Sequence, residues 1–124
     1  MNKKTLTLHI TEPWYSMIAS GEKTVEYREV KAYWINRLLQ DFLGCNLKGA
    51  AKLYEGHTTA LKALIRSECI LVKPFTHVVF IRGYPKDNIP QIEKEIVGIT
   101  IGKPQPGLCP KEFEGKDYFI IKFK

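Results

Sequence analysis

Residues 5–28 read Thr5-Leu6-Thr7-Leu8-His9-Ile10-Thr11-Glu12-Pro13-Trp14-Tyr15-Ser16-Met17-Ile18-Ala19-Ser20-Gly21-Glu22-Lys23-Thr24-Val25-Glu26-Tyr27-Arg28. The hydrophobic period changes twice in this stretch. Thr5–Ile10 alternates, with Leu6, Leu8 and Ile10 on one side and Thr5, Thr7 and His9 on the other, the pattern of a half-buried strand. Thr11-Glu12-Pro13 then reads as a helix start, with Thr11 or Glu12 capping and Pro13 tolerated in the first turn. Trp14, Met17 and Ile18 recur at helical spacing, and Gly21 supplies the stop. Residues 24–29 alternate again, Val25 and Tyr27 against Glu26 and Arg28. The chain therefore opens as strand, helix, strand.

Outward from there, residues 31–43 read as one helix. Ile35, Leu38, Leu39 and Phe42 form its apolar stripe, Trp34 and Leu43 flank it, and Gly44 ends it. Residues 45–57 are irregular, and Thr58–Arg66 reads as another helix with Leu61, Leu64 and Ile65 on one face but no cap. The rest reads as β-structure. Residues 76–82 hold the run Val78-Val79-Phe80-Ile81, expected to be a strand buried on both faces. Pro85, Asp87, Asn88 and Pro90 mark a turn over residues 83–90. In residues 91–101 the apolar parity shifts, from Ile92 and Ile96 to Val97, Ile99 and Ile101, which predicts a bulge or bend near Ile96 or Gly98. A proline-rich loop over residues 103–116 leads to a last strand, Tyr118–Phe123. Parallel strands need crossover helices, and the last three strands have none. The expectation is an α+β fold: a small curved sheet or β-barrel, mixed and mostly antiparallel, with a helix between its first two strands.

At 124 residues the chain reads as a single domain, residues 1–124. A chain of this size buries about two-thirds of the surface it exposes when unfolded, so it needs no disulfide or metal to fold. Its 44% hydrophobic and 26% charged residues exclude a disordered chain. The net charge of +6 is spread evenly: residues 1–62 carry nine basic and six acidic side chains, residues 63–124 ten and seven. That excess suits an anionic partner such as nucleic acid, and equally suits a lysine-rich solvated surface. Three cysteines, Cys45, Cys69 and Cys109, with no C-x-x-C pair, argue against a disulfide framework or a zinc ribbon. They are expected to be free thiols in a reducing cytoplasm, with Cys69 in the core. The start does not read as a signal peptide, and no run approaches a membrane span. His9, His57 and His77 have no metal-ligand spacing, so no metal and no cofactor are expected. No phosphate-cradling glycine loop, nucleophile elbow or H-E-x-x-H is present.

The chemistry concentrates in Gly21-Glu22-Lys23-Thr24-Val25-Glu26-Tyr27-Arg28. Glu26 and Arg28 share parity and project from one face of the strand, and Lys23, on the preceding turn, can reach over that face. Arg28 can hold a phosphate or base edge bidentately. Glu26 can fix the Arg28 fork or accept from an exocyclic amine. Lys23 can bind phosphate or, with a depressed pKa, act as a base. The plainer reading of the same residues is an ion-pair strip on an exposed strand.

Residues 5–10, Pro13-Trp14 and residues 17–28 together resemble the ASCH domain family of the PUA-like superfamily. The signature of that family after its first helix is G-x-K-x-x-E-x-R, standing here as Gly21, Lys23, Glu26 and Arg28. Glu29-Val30-Lys31-Ala32-Tyr33-Trp34, residues 75–84 and residues 96–101 resemble its short bacterial and phage members. Residues 45–72 have no counterpart in the resemblance and read as a helical insertion. The resemblance implies a PUA-type barrel whose cleft, lined by the motif, binds RNA or another nucleic acid. Some relatives of similar fold are enzymes: one group deacetylates N4-acetylcytidine, and another is described as ribonucleases. The deacetylating group has a threonine where Glu26 stands, which removes the hydroxyl nucleophile. Thr24 has the opposite parity, and no residue is placed as that group's distal acid, for which Glu95 is a guess.

Trp14, Tyr15, Tyr27, Tyr33 and Trp34 crowd near the charged cluster, and aromatic rings in a cationic surround are how splayed bases are held. Tyr27 and Trp34 each adjoin an apolar face and read as core; Trp14, after the proline at a helix start, reads as bordering the cleft, Tyr33 and Tyr15 stay undecided, and Trp14 or a tyrosine is expected to stack. Arg82, at a strand end, is a further cleft candidate or else a solvated terminus. Three functions stay open: an RNA- or nucleotide-binding protein using Lys23, Glu26, Arg28, Trp14, Tyr33 and Arg82; a nucleic-acid-directed hydrolase with Lys23 and Glu26 catalytic; and an interaction module whose residues 45–72 dock a protein partner.

Overall fold

The computed structural model describes residues 2–83 and 90–124. Among the described residues seven strands and four helices follow one another: β1 (Thr5–Ile10), α1 (Trp14–Ala19), β2 (Val25–Arg28), α2 (Ala32–Leu38), β3 (Leu39–Asp41), α3 (Ala50–Leu53), α4 (Thr58–Arg66), β4 (Ile70–Val72), β5 (His77–Arg82), β6 (Gln91–Gly102) and β7 (Tyr118–Phe123). A short 3-10 turn, Lys111–Phe113, precedes β7.

The fold is α+β. One five-stranded mixed sheet runs in the order β1-β5-β6-β7-β2, and β3 and β4 form a separate two-stranded ribbon. Only β1 and β5 pair in parallel; the other ladders of the large sheet are antiparallel. Among the described residues no ladder joins β1 to β2, so the sheet keeps two edges and the expected barrel closure is not seen.

Local pattern accounts for most of this. Leu6, Leu8 and Ile10 of β1 are buried, as their alternation requires, and meet Val78 and Phe80 of β5 in one core with Ile18, Ile35, Phe119, Ile121 and Phe123. The β5 run expected to be buried on both faces alternates instead, with Val78 and Phe80 buried and Val79 and Ile81 half-buried. In β6 the register shifts between Ile96 and Gly98: Ile96 opposes Phe123 and Gly98 opposes Lys122, leaving Val97 as the extra residue of a bulge. That bulge is the parity change in the sequence. Val97 turns outward, and Ile99 regains the buried side.

The helix expected over residues 31–43 ends early. α2 stops at Leu38, where Leu39 turns to extended backbone and begins β3, which pairs with β4. Leu39 is still fully buried, but Phe42, the last member of the expected stripe, is exposed. The 45–72 segment supplies α3, α4 and β4, and its Ala51, Leu61 and Ile70 belong to the same buried cluster as β1 and β7. Leu64 and Ile65 are partly buried against that cluster, so the apolar face of α4 is not free to dock a partner. Cys69 is exposed, contrary to its expected core position; Cys109 is the buried thiol. The turn expected over residues 83–90 lies largely outside the described residues. No helix of the described residues is long and apolar enough to cross a membrane.

Candidate nucleotide-binding cleft

The edge strands β1 and β2 face each other across a gap that no backbone ladder fills. Arg28 spans it: its guanidinium donates to the His9 carbonyl of β1 at 3.0 Å. Arg37 of α2 does the same one pleat away, donating to the Thr7 carbonyl at 3.0 Å. Two guanidinium groups thus satisfy acceptors that an edge strand leaves open. The cleft between these elements has a volume of about 550 Å³, within the range of small-ligand sites.

Arg28 is fixed by three acceptors. Besides the His9 carbonyl, it donates to Glu26 Oε2 at 2.6 Å and to its own neighbour's carbonyl, Tyr27 O, at 2.9 Å. Cross-strand register puts Glu26 opposite Ile121 and Arg28 opposite Phe119, so both charges sit on the core side of the sheet. Glu26 is 7% exposed and is held from both ends, with Lys23 Nζ 3.4 Å from its Oε1.

Lys23 occupies a different position from the one its place on a turn suggests. Gly21 takes a positive φ of 85°, where a side chain would be strained, and turns the chain back under α1. Lys23 is then 1% exposed. Its ammonium donates to the Leu108 carbonyl and lies 5.1 Å from the Trp14 ring centroid and 5.0 Å from that of Tyr27. Burial pushes its pKa below the usual lysine value, while the charge of Glu26 pulls the other way. Lys23 therefore holds the wall of the site and does not reach into it.

That wall is the 103–117 segment. Tyr27 Oη accepts from Gln105 N at 3.0 Å, and Cys109 packs with Tyr27 and Tyr118 in a second buried cluster. Burial raises the pKa of both Tyr27 and Cys109. Phe113 stacks on Tyr118, centroids 4.3 Å apart and planes 8° from parallel, and with Pro110 it faces the cleft.

The opposite wall is α2. Ile35 and Leu38 bury its inner face, which turns Tyr33, Trp34 and Arg37 toward the cleft. Tyr33 and Arg37 are one helical turn apart, and Arg37 donates to Tyr33 Oη at 3.0 Å. The Trp34 ring meets Tyr33 edge-on at 4.9 Å. The guanidinium carbons of Arg28 and Arg37 lie 5.2 and 5.7 Å from the Trp34 centroid. α2 has no cap of its own. Glu55, from the 45–72 segment, accepts from the Ala32 N–H at 2.8 Å and takes that role, and the bond holds its carboxylate below the usual range. Asn36 ties the same helix to Lys48 O at 3.1 Å.

Of the sequence candidates, Glu26, Arg28, Trp14 and Tyr33 line one cleft, and Lys23 sits behind it. Arg82 does not line it: it lies 3.8 Å from Glu12 and 5.9 Å from the Tyr15 ring. Glu95 is paired with Lys124 at 3.2 Å on β6, and Thr24 is exposed. Sequence reasoning missed Arg37. Its signal was the Tyr33-x-x-x-Arg37 spacing next to Trp34. Trp34 and Tyr27, read as core, are partly and fully buried and also line the cleft. His9 borders it as well and bonds Gly83 O at 2.8 Å through Nδ1, so Nδ1 carries the hydrogen. Among the described residues no group of three or more His, Cys, Asp or Glu could hold a metal ion.

A scan against protein-family models, a search of curated proteins and a search of solved structures each find no match for this chain.

Proposed function

We propose that this protein binds single-stranded RNA or a nucleotide, with a base seated in the cleft between β1, β2 and α2. The observation that carries the reading is the rim of that cleft. Tyr33 is 61% exposed, yet its ring is fixed by the edge of Trp34 and its hydroxyl by Arg37. An exposed ring held this firmly is a stacking platform already in its bound orientation, so ordering it costs a ligand little. Trp14 lines the same cleft, and Glu26 and Arg28 lie at its base, where the three acceptors of Arg28 leave two of its five N–H donors for a ligand.

The G-x-K-x-x-E-x-R residues support assigning the chain to the ASCH family as a PUA-like fold. The open side of its barrel would then be the β1–β2 gap that Arg28 spans. Exposed Cys45 and Cys69 suit a reducing cytoplasm.

The chain's two tryptophans both line the cleft, so their fluorescence reports on occupancy. Titration with the four homopolymeric single-stranded RNAs should quench it, with affinity falling as salt rises. Tyr33→Ala should weaken binding. Absence of any fluorescence change, or affinity indifferent to both salt and Tyr33→Ala, counts against the reading.

A second reading, hydrolysis of RNA or an acylated nucleoside such as N4-acetylcytidine, is favoured by one observation. Glu26 lines the cleft with the buried ammonium of Lys23 3.4 Å behind it, and a lysine-paired carboxylate is an arrangement used in acid–base catalysis. Incubation of the protein with both substrates tests it. Turnover that survives Lys23→Ala, or none in the wild type, removes it.

A further inference from the structure

The two guanidinium groups of the cleft differ in one respect. Arg28 is paired with Glu26 at 2.6 Å, a carboxylate it shares with Lys23. Arg37 forms no ion pair with any carboxylate among the described residues. It is nevertheless immobilised by the Thr7 carbonyl, Tyr33 Oη and the Trp34 ring, every one of them uncharged. Those two hydrogen bonds leave three of its five N–H donors for a ligand. A half-buried guanidinium with fixed geometry, free donors and no counter-charge is a receptor for an anion, and its planar fork matches phosphate.

We propose that Arg37 is the phosphate-recognising residue of this cleft, so that the ligand is a phosphate-bearing nucleotide and not a free nucleoside or base. This rests on the nucleotide-binding reading above and narrows it. The phosphate lies beside Tyr33, one helical turn from Arg37, so that a base stacked on Tyr33 is followed directly by its phosphate. Arg28, already paired with Glu26 and bonded to two backbone carbonyls, reads the base or ribose side. The same chemistry is offered by a terminal 5′-phosphate and by an internal phosphodiester.

The test is a fluorescence or calorimetric titration of the wild type, Arg37→Met and Arg37→Gln. The probes are the four ribonucleosides, their 5′-monophosphates, dinucleotides joined by one phosphodiester, and ribose 5-phosphate. Gln keeps a donor for the Thr7 carbonyl, so it serves if Met fails to fold, as circular dichroism would show. The expected result is at least tenfold tighter binding of monophosphate than of nucleoside by the wild type. In the variants that ratio falls to about one. A preference for dinucleotides over monophosphates assigns the phosphodiester as the source, and the reverse assigns a 5′ end. Equal affinity for nucleoside and nucleotide in the wild type overturns the proposal and leaves base binding standing. A ratio that persists in both variants overturns it too. Binding of ribose 5-phosphate that needs Arg37, with no dependence on the presence of a base, upholds the phosphate site and removes the base-stacking reading. If no probe binds, both fall.

Discussion

Replacing Lys23 by Met keeps the unbranched stem and removes only the ammonium. Three contacts go with it: the bond to the Leu108 carbonyl, the 3.4 Å ion pair with Glu26, and the approach to the Trp14 and Tyr27 rings. The half-buried Leu108 carbonyl loses its donor, which costs about 1–3 kcal/mol. Removing one partner of a buried ion pair costs about 3–5 kcal/mol when the other is left alone. Here Glu26 keeps Arg28 at 2.6 Å, and a costly buried ammonium disappears, so both effects reduce the loss. The net expectation is about 2–3 kcal/mol, or a fall in Tm on the order of 10 °C for a chain of this size. Cys109 supplies the more specific readout. It is 4% exposed, it lies next to Leu108 in the segment Lys23 holds, and burial raises its thiol pKa, so it should resist alkylation. Cys45 and Cys69 are exposed and act as internal standards. With iodoacetamide and residue-resolved mass spectrometry, Cys109 should label at least tenfold faster in Lys23→Met while Cys45 and Cys69 keep their rates. An unchanged Tm together with an unchanged Cys109 rate would refute the role assigned to Lys23.

The same pair of proteins predicts a pH dependence. The folded-state pKa of Lys23 lies below 10.5, so between that value and 10.5 the unfolded chain binds more protons and this residue makes stability rise with pH. Tyr27 and Tyr118, raised above 10.0 by burial, act in the opposite sense in both proteins. The stability gap between wild type and Lys23→Met, from urea denaturation at a series of pH values, should therefore widen as pH rises toward 10.5; a gap that shrinks contradicts the burial. Tyr33→Ala should leave the Tm within a few degrees, since the ring is 61% exposed. It should weaken nucleotide binding by about 5- to 150-fold, the worth of one stacked base; equal affinity in a titration speaks against stacking there. Leu61→Ala in α4 should cost about 2–5 kcal/mol by chemical denaturation, because Leu61 is fully buried in the main core. A cost below about 1 kcal/mol would mean that the 45–72 segment is a dispensable appendage.

Much of the architecture was legible because it is written in local periods. The alternation in Thr5–Ile10 and Tyr118–Phe123 and the parity change around Val97 each depend on residues within a few positions of one another. The β3–β4 ribbon was not legible. Its strands are three residues long, and what ends α2 at Leu38 is a hydrogen-bonding partner some thirty residues further on. The same limit hid the start of α2, capped by a carboxylate from Glu55.

Sequence by itself determined the α+β character and the shared face of Glu26 and Arg28, because strand parity is a property of neighbouring residues. It placed a lysine, a glutamate and an arginine near one another but could not say which would meet a ligand. The tertiary structure decided that, because burial and charge balance come from segments far apart in the chain. The 103–117 segment covers Lys23 and makes it a support. Glu26 pairs with Arg28, whereas Arg37, unremarkable on its helix, is brought by the Thr7 carbonyl and Trp34 to the mouth of the cleft with no carboxylate paired to it among the described residues.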